Sequence, residues 1–478
     1  MINSYFVEEF KEILGFNPTQ EQSDAMEKLG QFLISGTQDS VFLLRGYAGT
    51  GKTSLIGGLV RMLDKLQQKA VLMAPTGRAA KVFSQHAEHP AYTIHRKIYR
   101  QKKFSSETEN FSLSDNLHQH TLFIVDEASM IANDGLSGST FGTGRLLDDL
   151  IQYVYSGQGC RLLLMGDTAQ LPPVGETESP ALHKSALQGY GLAVHEFDLT
   201  QVVRQLENSG ILWNATQLRC LLADDFTLEF PKVRFYGFSD IHNLPGNELI
   251  EALEESYSQV GLDETMVICR SNKRATIYNN GIRSRILYRE SQLESGDVLM
   301  VAKNNYHWAE KDKELDFIAN GDIVIVRRVR HERELYGFHF ADVTMIFPDY
   351  DDFELEATVL LDTLQSDAPS LTREQNEKLF NAILEDYADI PLKRDRMKKL
   401  KEDIYFNALQ VKYAYAITCH KAQGGQWKRI FLDQGYMTED MLTPDYFRWL
   451  YTAFTRATER LYLVNFPQEQ EEPNIYIN

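Results

Sequence analysis

Residues Gly46-Tyr47-Ala48-Gly49-Thr50-Gly51-Lys52-Thr53 fit the pattern G-x-x-x-x-G-K-[ST], and their place in the chain constrains the fold more than any other feature. The aliphatic run SVFLLR precedes them and the helical run SLIGGLVRMLDKL follows. Glycines let backbone N–H groups wrap an anion, and the start of the following helix adds its positive end. The segment reads as strand, phosphate loop and helix. Gly46, Ala48, Gly49, Thr50, Gly51, Lys52, Thr53 and Ser54 are the candidate nucleotide contacts. Lys52 is expected on the β- and γ-phosphates of ATP, and Thr53 on Mg²⁺. A glycine-rich loop without function is the alternative, and the strand-then-helix context argues against it.

Three more aliphatic runs share the design: AVLMAPT, TLFIVDE and RLLLMGD each end in a polar or glycine-containing turn. Near-continuous apolar runs of this length suit a parallel sheet covered by helices on both faces. Chemistry in such sheets gathers beyond the carboxyl ends of the strands, where all four turns fall. Asp126 and Glu127 end the third run. Asp126 suits a second Mg²⁺ contact, and Glu127 can polarise an attacking water. A strand followed by two acids is also common as a solvated turn; the phosphate loop beside it is what gives this one meaning.

A second set follows: TMVICRS (265–271), YAYAITC (413–419), KRIFLD (428–433) and RLYLVNF (460–466) predict another sheet of similar design. Between them, residues 296–364 hold short strand runs with little helix, as in a small antiparallel barrel. Residues 371–408 read as charged helix with apolar positions at Leu379, Ile383, Leu400 and Ile404. The expectation is an α/β chain with one sheet domain over 1–200, a second over 201–295 and 406–478, and an insertion over 296–405.

A net charge of −18 argues, taken alone, against a polyanionic partner. Residues 348–390 hold twelve acids, with only Arg373 and Lys378 as bases, so much of the excess sits in one segment that need not face nucleic acid. The basic run Lys393, Arg394, Arg396, Lys398, Lys399 and Lys401 follows and reads as a solvated helix face. No apolar run reaches the roughly 18 residues that span a bilayer. The start MINSYFVEEFKEILGF lacks the basic and apolar regions of a signal peptide, so cytoplasmic residence is the default. Cys160, Cys220, Cys269 and Cys419 are scattered, without metal-ligand spacing, and are expected to be small buried residues.

The ordered set of motifs resembles superfamily 1 helicases of the RecD and Dda type, the branch that moves 5′ to 3′. The quoted residues are GYAGTGKTS, Ala74-Pro75-Thr76-Gly77-Arg78-Ala79-Ala80-Lys81, Thr93-Ile94-His95, Asp126-Glu127-Ala128-Ser129-Met130 and Gly166-Asp167-Thr168-Ala169-Gln170-Leu171-Pro172-Pro173-Val174. TQVVRQ (200–205), His420-Lys421-Ala422-Gln423-Gly424 and Ala453-Phe454-Thr455-Arg456-Ala457 complete the set, which runs from about residue 16 to 460. Ala422 stands where the family commonly has Ser and Cys419 where Val is frequent. Gly425-Gln426-Trp427 has no assignment.

The resemblance implies two RecA-like parallel-sheet domains flanking an ATP cleft, with a hairpin inserted in the first and a barrel in the second. It implies adenine reading by Gln22, γ-phosphate sensing by Gln170, and two arginines, Arg204 and Arg456, reaching the γ-phosphate. Single-stranded DNA and its junctions with duplex would be held by Pro75, Thr76, Arg78, Thr93 and His95 in the first domain. Asn272, His420 and Lys421 would hold them in the second. Lys303, Asn304 and Asn320-Gly321-Asp322 resemble family signatures in the barrel. Residues 96–120 stand where family members carry a strand-separating hairpin. Arg96, Lys97, Arg100, Lys102 and Lys103 flank Tyr99, Phe104 and Phe111 there, which fits either an exposed aromatic tip or a surface loop whose phenylalanines tuck into the core. A chain acting alone as a monomer is expected, with no membrane partner.

Overall fold

The computed structural model describes residues 2–101, 111–135, 141–203, 208–223, 229–309 and 317–474. A six-stranded sheet occupies the first part. Its strands run in the order Ala91–Thr93, Lys69–Ala74, Thr121–Val125, Arg161–Gly166, Ser40–Gly46 and Ala193–Leu199. All the neighbours pair parallel. The strand that leads into the phosphate loop lies inside this sheet and is covered on both faces, so alternate residues enter different cores. Val41 and Leu43 join one apolar cluster with Leu147, Leu150 and Val154, while Phe42 and Leu44 join another with Phe10, Leu29 and Leu59. Burial on two faces is why the run shows no polar alternation.

The second sheet has five parallel strands in the order Ala416–Thr418, Thr265–Cys269, Trp427–Asp433, Ala457–Val464 and Ile241–Leu244. One of its cores takes in Ala169 and Leu171 from the first part of the chain, so the two sheets share apolar packing beside the cleft. The other core runs on into the barrel through Leu299, Val324, Val343 and Val411.

Val298–Val301, Ile323–Leu335, Phe338–Phe347, Phe353–Leu360 and Leu409–Tyr413 close that barrel. All its ladders are antiparallel except the one joining Phe353–Leu360 to Leu409–Tyr413. The expected boundary at residue 405 therefore falls short of the barrel, whose closing strand pairs Leu299 with Tyr413. YAYAITC correspondingly divides between the barrel and the short strand Ala416–Thr418. The charged stretch forms two helices, Arg373–Asp386 and Lys393–Glu402, seated on the barrel by Leu379, Ile383 and Leu400 against Phe338 and Leu360. Ile404 stays 37% exposed outside that contact. Cys160, Cys269 and Cys419 are buried, but Cys220 is exposed on its helix. Among the described residues no helix is long and apolar enough to cross a membrane.

Candidate nucleotide cleft and nucleic-acid track

The strand ends of the first sheet open on a cavity of about 400 Å³ that residues of the second sheet's side also line. Gly51 caps helix Lys52–Lys65 at φ 80°, a left-handed conformation that side-chain-bearing residues rarely take. A Cβ there would stand 2.6 Å from Gln22 Nε2. Loop and helix Gln20–Ile34 therefore approach only across a glycine. Gln22 serves that approach: its Nε2 donates to the Thr50 carbonyl at 3.1 Å, and its Oε1 accepts from Thr19 N–H at 3.0 Å as half of a capping box. Lys52 Nζ donates to the carbonyl of Tyr47 at 2.9 Å and to that of Gly46, which holds the ammonium over the loop.

Asp126 and Glu127 stand at the end of strand Thr121–Val125, where the sequence places them. Glu127 has φ 52°, a conformation that non-glycine residues hold only under constraint. Asp126 Oδ1 accepts the Glu127 N–H at 2.7 Å. Burial, then the neighbouring Glu127 charge, pushes the Asp126 carboxyl up to about 7. A cation beside it reverses that effect. The Thr53 hydroxyl and the Asp126 carboxylate line the same cavity and are hard oxygen donors. They fit Mg²⁺, which takes few protein ligands and fills its shell with phosphate and water.

Gln170 lies in the turn after strand Arg161–Gly166, and its buried Oε1 accepts no hydrogen bond from the described residues. It is a cavity-lining acceptor left to a ligand or a water. Arg456 comes from the opposite side, just after helix Pro444–Phe454, and is 2% exposed. Its Nη1 donates to the Gly425 carbonyl at 3.1 Å, its Nε donates to the Thr452 carbonyl at 3.2 Å, and Nη1 lies 3.6 Å from Glu127 Oε1. Arg204 lies outside the described residues.

The expected nucleic-acid contacts sit at helix starts along the strand ends. Thr76 and Thr93 accept the N–H groups of Ala79 (3.2 Å) and Arg96 (3.3 Å), which caps two helices; Thr76 is half-buried and Thr93 buried. Pro75 is half-buried beside Thr76. Asn272 opens helix Asn272–Arg285, which Ser271 caps, while His420 is exposed and Lys421 half-buried on the short helix Cys419–Ala422. Arg78 is engaged elsewhere: it donates to the Gln426 carbonyl at 3.0 Å and lies 4.5 Å over the Trp427 ring. The unassigned Gly425-Gln426-Trp427 stretch is therefore a docking place for a first-sheet arginine. His95 is packed among Phe141, Tyr99 and Phe317, and burial pushes its imidazole down to about 4. At neutral pH it is an uncharged ring.

The 96–120 insertion contains an antiparallel pair, Tyr99–Gln101 with Phe111–Leu113. Of its aromatics, Tyr99 (7% exposed) and Phe111 (4%) are buried, so for these two the tucked arrangement replaces the exposed tip. The physical reason is an aromatic cluster: Phe111 lies 4.9 Å from Phe141 and 4.7 Å from Tyr306. Phe104, Lys102 and Lys103 lie outside the described residues. Of the barrel signatures, Asn304 Oδ1 accepts Asn320 N–H at 2.6 Å and Asp322 is buried, so both build the fold, while Lys303 is exposed. The acidic segment also reaches the track. Its turn seats Tyr350 against Gly77, Lys81 donates to the Pro348 carbonyl at 2.6 Å, and Arg96 lies 5.1 Å over the Tyr350 ring.

Sequence reasoning missed Tyr451, Thr452 and Gln423, which join the two sides of the cleft. Thr452 Oγ1 accepts Leu171 N–H at 2.9 Å, and Gln423 Nε2 donates to the Leu171 carbonyl at 2.7 Å. Their only signal was position: Thr452 is one helical turn before Arg456, and Gln423 lies inside the HKAQG motif.

A phosphate loop, a paired acid strand end and an arginine from a second parallel sheet, all on one cavity, define a P-loop ATPase with its cleft between two RecA-like lobes. Comparison with known proteins narrows the class. The AAA domain family model matches residues 17–220, and the UvrD-like helicase C-terminal domain model matches residues 413–464. An uncharacterised protein of Acanthamoeba polyphaga mimivirus is 23% identical over 93% of this chain and 98% of its own length. The ATP-dependent RecD2 DNA helicase of Deinococcus radiodurans is 24% identical over 93% of this chain, which spans 48% of that protein. The Bdellovibrio bacteriovorus ATP-dependent DNA helicase Pif1 is 27% identical over 34% of this chain and 36% of its own. Among solved structures, a Bacteroides Pif1 helicase in complex with ADP-AlF3 and ssDNA has a TM-score of 0.47 at 16% identity, covering 96% of this chain and 95% of that one. In these matches the chain is similar to RecD/Pif1-like superfamily 1 helicases, and its cleft is that of an ATP-hydrolysing enzyme.

Proposed function

We propose that the protein is a motor that translocates 5′ to 3′ on single-stranded DNA and separates duplex ahead of it. Arg456 beside Glu127 carries the reading: a second-lobe cation contacts the acid that polarises water, which makes hydrolysis depend on closure of the cleft. In this reading Lys52 holds the β- and γ-phosphates, Glu127 acts as the base, Gln170 senses the γ-phosphate and Gln22 reads adenine. Thr53 and Asp126 would hold Mg²⁺, which supplies charge neutralisation on the phosphates. Residues 1–200 act as one motor lobe, and the segments around the barrel insertion act as the other. Pro75, Thr76, Thr93, Asn272, His420 and Lys421 hold the backbone of the strand in alternation as the lobes close and part. Arg78 contributes by joining the lobes.

A fluorescent forked duplex with a 5′ single-stranded tail, run beside one with a 3′ tail, tests the proposal. The expected result is ATP-dependent separation from the 5′ tail alone. Separation only from the 3′ tail overturns the polarity. ATP hydrolysis stimulated by single-stranded DNA without separation of either fork reduces the activity to translocation.

A further inference from the structure

We infer that the Tyr451 hydroxyl is a positioning group that registers the phosphate loop against the Asp167–Leu171 turn when helix Pro444–Phe454 docks across the cleft. The inference rests on the ATP-hydrolysing pocket described above and adds to it a residue with no direct role on the nucleotide.

Tyr451 projects from the second lobe and is 1% exposed. Its Oη accepts the Ala48 N–H at 2.9 Å and donates to Asp167 Oδ2 at 2.7 Å. Ala48 belongs to the first half of the phosphate loop, and Asp167 begins the turn that carries Gln170. A hydroxyl has one hydrogen to give, so its donation to Asp167 leaves its lone pairs turned toward Ala48. The direction of both bonds is thereby fixed. The other Asp167 oxygen accepts Ala169 N–H at 2.9 Å, which ties the carboxylate to the backbone leading into Gln170. Thr452 and Gln423 secure Leu171, the residue that follows Gln170, from the same side.

The arrangement makes cleft opening costly in a particular way. Withdrawal of helix Pro444–Phe454 removes an acceptor from the Ala48 N–H and the side-chain donor from Asp167, which is 1% exposed. A buried carboxylate deprived of a donor has to gain water or move. The loop that grips phosphate and the turn that senses it are thus held by one atom of the opposite lobe, and they change together. Arg456 follows on the same element, so the group that sets the register arrives with the group that completes the charge.

Tyr451→Phe keeps the ring and removes only the hydroxyl. With the full chain, ATP hydrolysis is measured with and without single-stranded DNA, beside hydrogen exchange at Ala48 with a non-hydrolysable ATP analogue bound. Wild-type hydrolysis must rise with DNA; without that rise the motor reading itself fails. Given that rise, Tyr451→Phe is expected to lower DNA-stimulated kcat about tenfold with KM for ATP changed less than about threefold, and to speed exchange at Ala48. Asp167→Asn should show a similar fall in kcat, and the double variant no more than either alone. A kcat within about twofold of wild type, with unchanged exchange at Ala48, overturns the inference. So does a double variant whose losses multiply. Should Tyr451→Phe unfold, Thr452→Val, which frees Leu171 and leaves the Tyr451 hydroxyl in place, decides: faster exchange at Leu171 with Ala48 exchange matched to wild type supports the inference, and equally faster exchange at Ala48 overturns it.

Discussion

Arg456 Nη1 lies 3.6 Å from Glu127 Oε1, joining the second lobe's buried guanidinium to the acid at the end of a first-lobe strand. Two carbonyls hold the same guanidinium in place, so its position is set by backbone and does not depend on the carboxylate. The geometry separates binding from turnover, and the two residues are expected to fail in different ways.

Glu127→Gln should bind ATP as wild type does and lose hydrolysis by about 10²- to 10⁴-fold, the range of a general base. Equilibrium nucleotide binding beside phosphate release checks this. Normal turnover in the variant would exclude Glu127 as the base.

Arg456→Ala should lower DNA-stimulated kcat by about 10³-fold or more, as for an arginine that stabilises a transferring phosphoryl. Arg456→Lys should rescue little, because a lysine cannot satisfy two carbonyls and reach the carboxylate with one planar fork. Single-turnover hydrolysis is the measurement. Lys52→Ala should abolish hydrolysis and weaken nucleotide binding together.

Gln22→Glu distinguishes a helix cap from a base-reading residue. The acid keeps the acceptor for Thr19 N–H but loses the donor to the Thr50 carbonyl, so Gln22→Glu and Gln22→Ala should both lower thermal stability, by about 1–3 kcal/mol. If Gln22 also reads adenine, the glutamate variant raises KM for ATP tenfold or more while KM for a nucleotide with another base moves less. Equal shifts for both nucleotides assign Gln22 to the cap alone.

His95 gives a pH signature. Burial holds its imidazole at about 4 in the folded chain, below its ordinary 6.5. The unfolded chain gains a proton as pH falls through 6.5 that the folded chain does not take until about 4. Stability from this residue is therefore complete above pH 6.5 and declines toward pH 4, by at most about 3 kcal/mol. His95→Phe should flatten that decline in Tm between pH 7 and 5. DNA affinity should show no wild-type step near pH 6.5 that the variant lacks.

The motifs of the cleft were legible because each pairs a strand end with a fixed residue pattern. Lys52, Asp126, Glu127, Gln170 and Arg456 all line one cavity. The edges were harder. Ala193–Leu199 is a half-exposed outer strand in which His195, Glu196 and Asp198 break any apolar run, yet it pairs with Ser40–Gly46 along its length. The barrel's closing strand, Leu409–Tyr413, carries the same aliphatic texture as the sheet strand beside it, and only the pairing with Leu299 separates them. Tyr451 was invisible for a different reason. An aromatic at a buried helical position reads as core, and nothing local tells where its hydroxyl points.

The seating of Phe111 against Tyr306 and Phe141 has a mechanical consequence. Any displacement of the strand pair Tyr99–Gln101 and Phe111–Leu113 is shared, through these tilted ring contacts, with the first lobe and with the segment beside the barrel. The described base of the insertion is thus anchored at two supports, and how firmly it is held depends on how firmly the barrel is held.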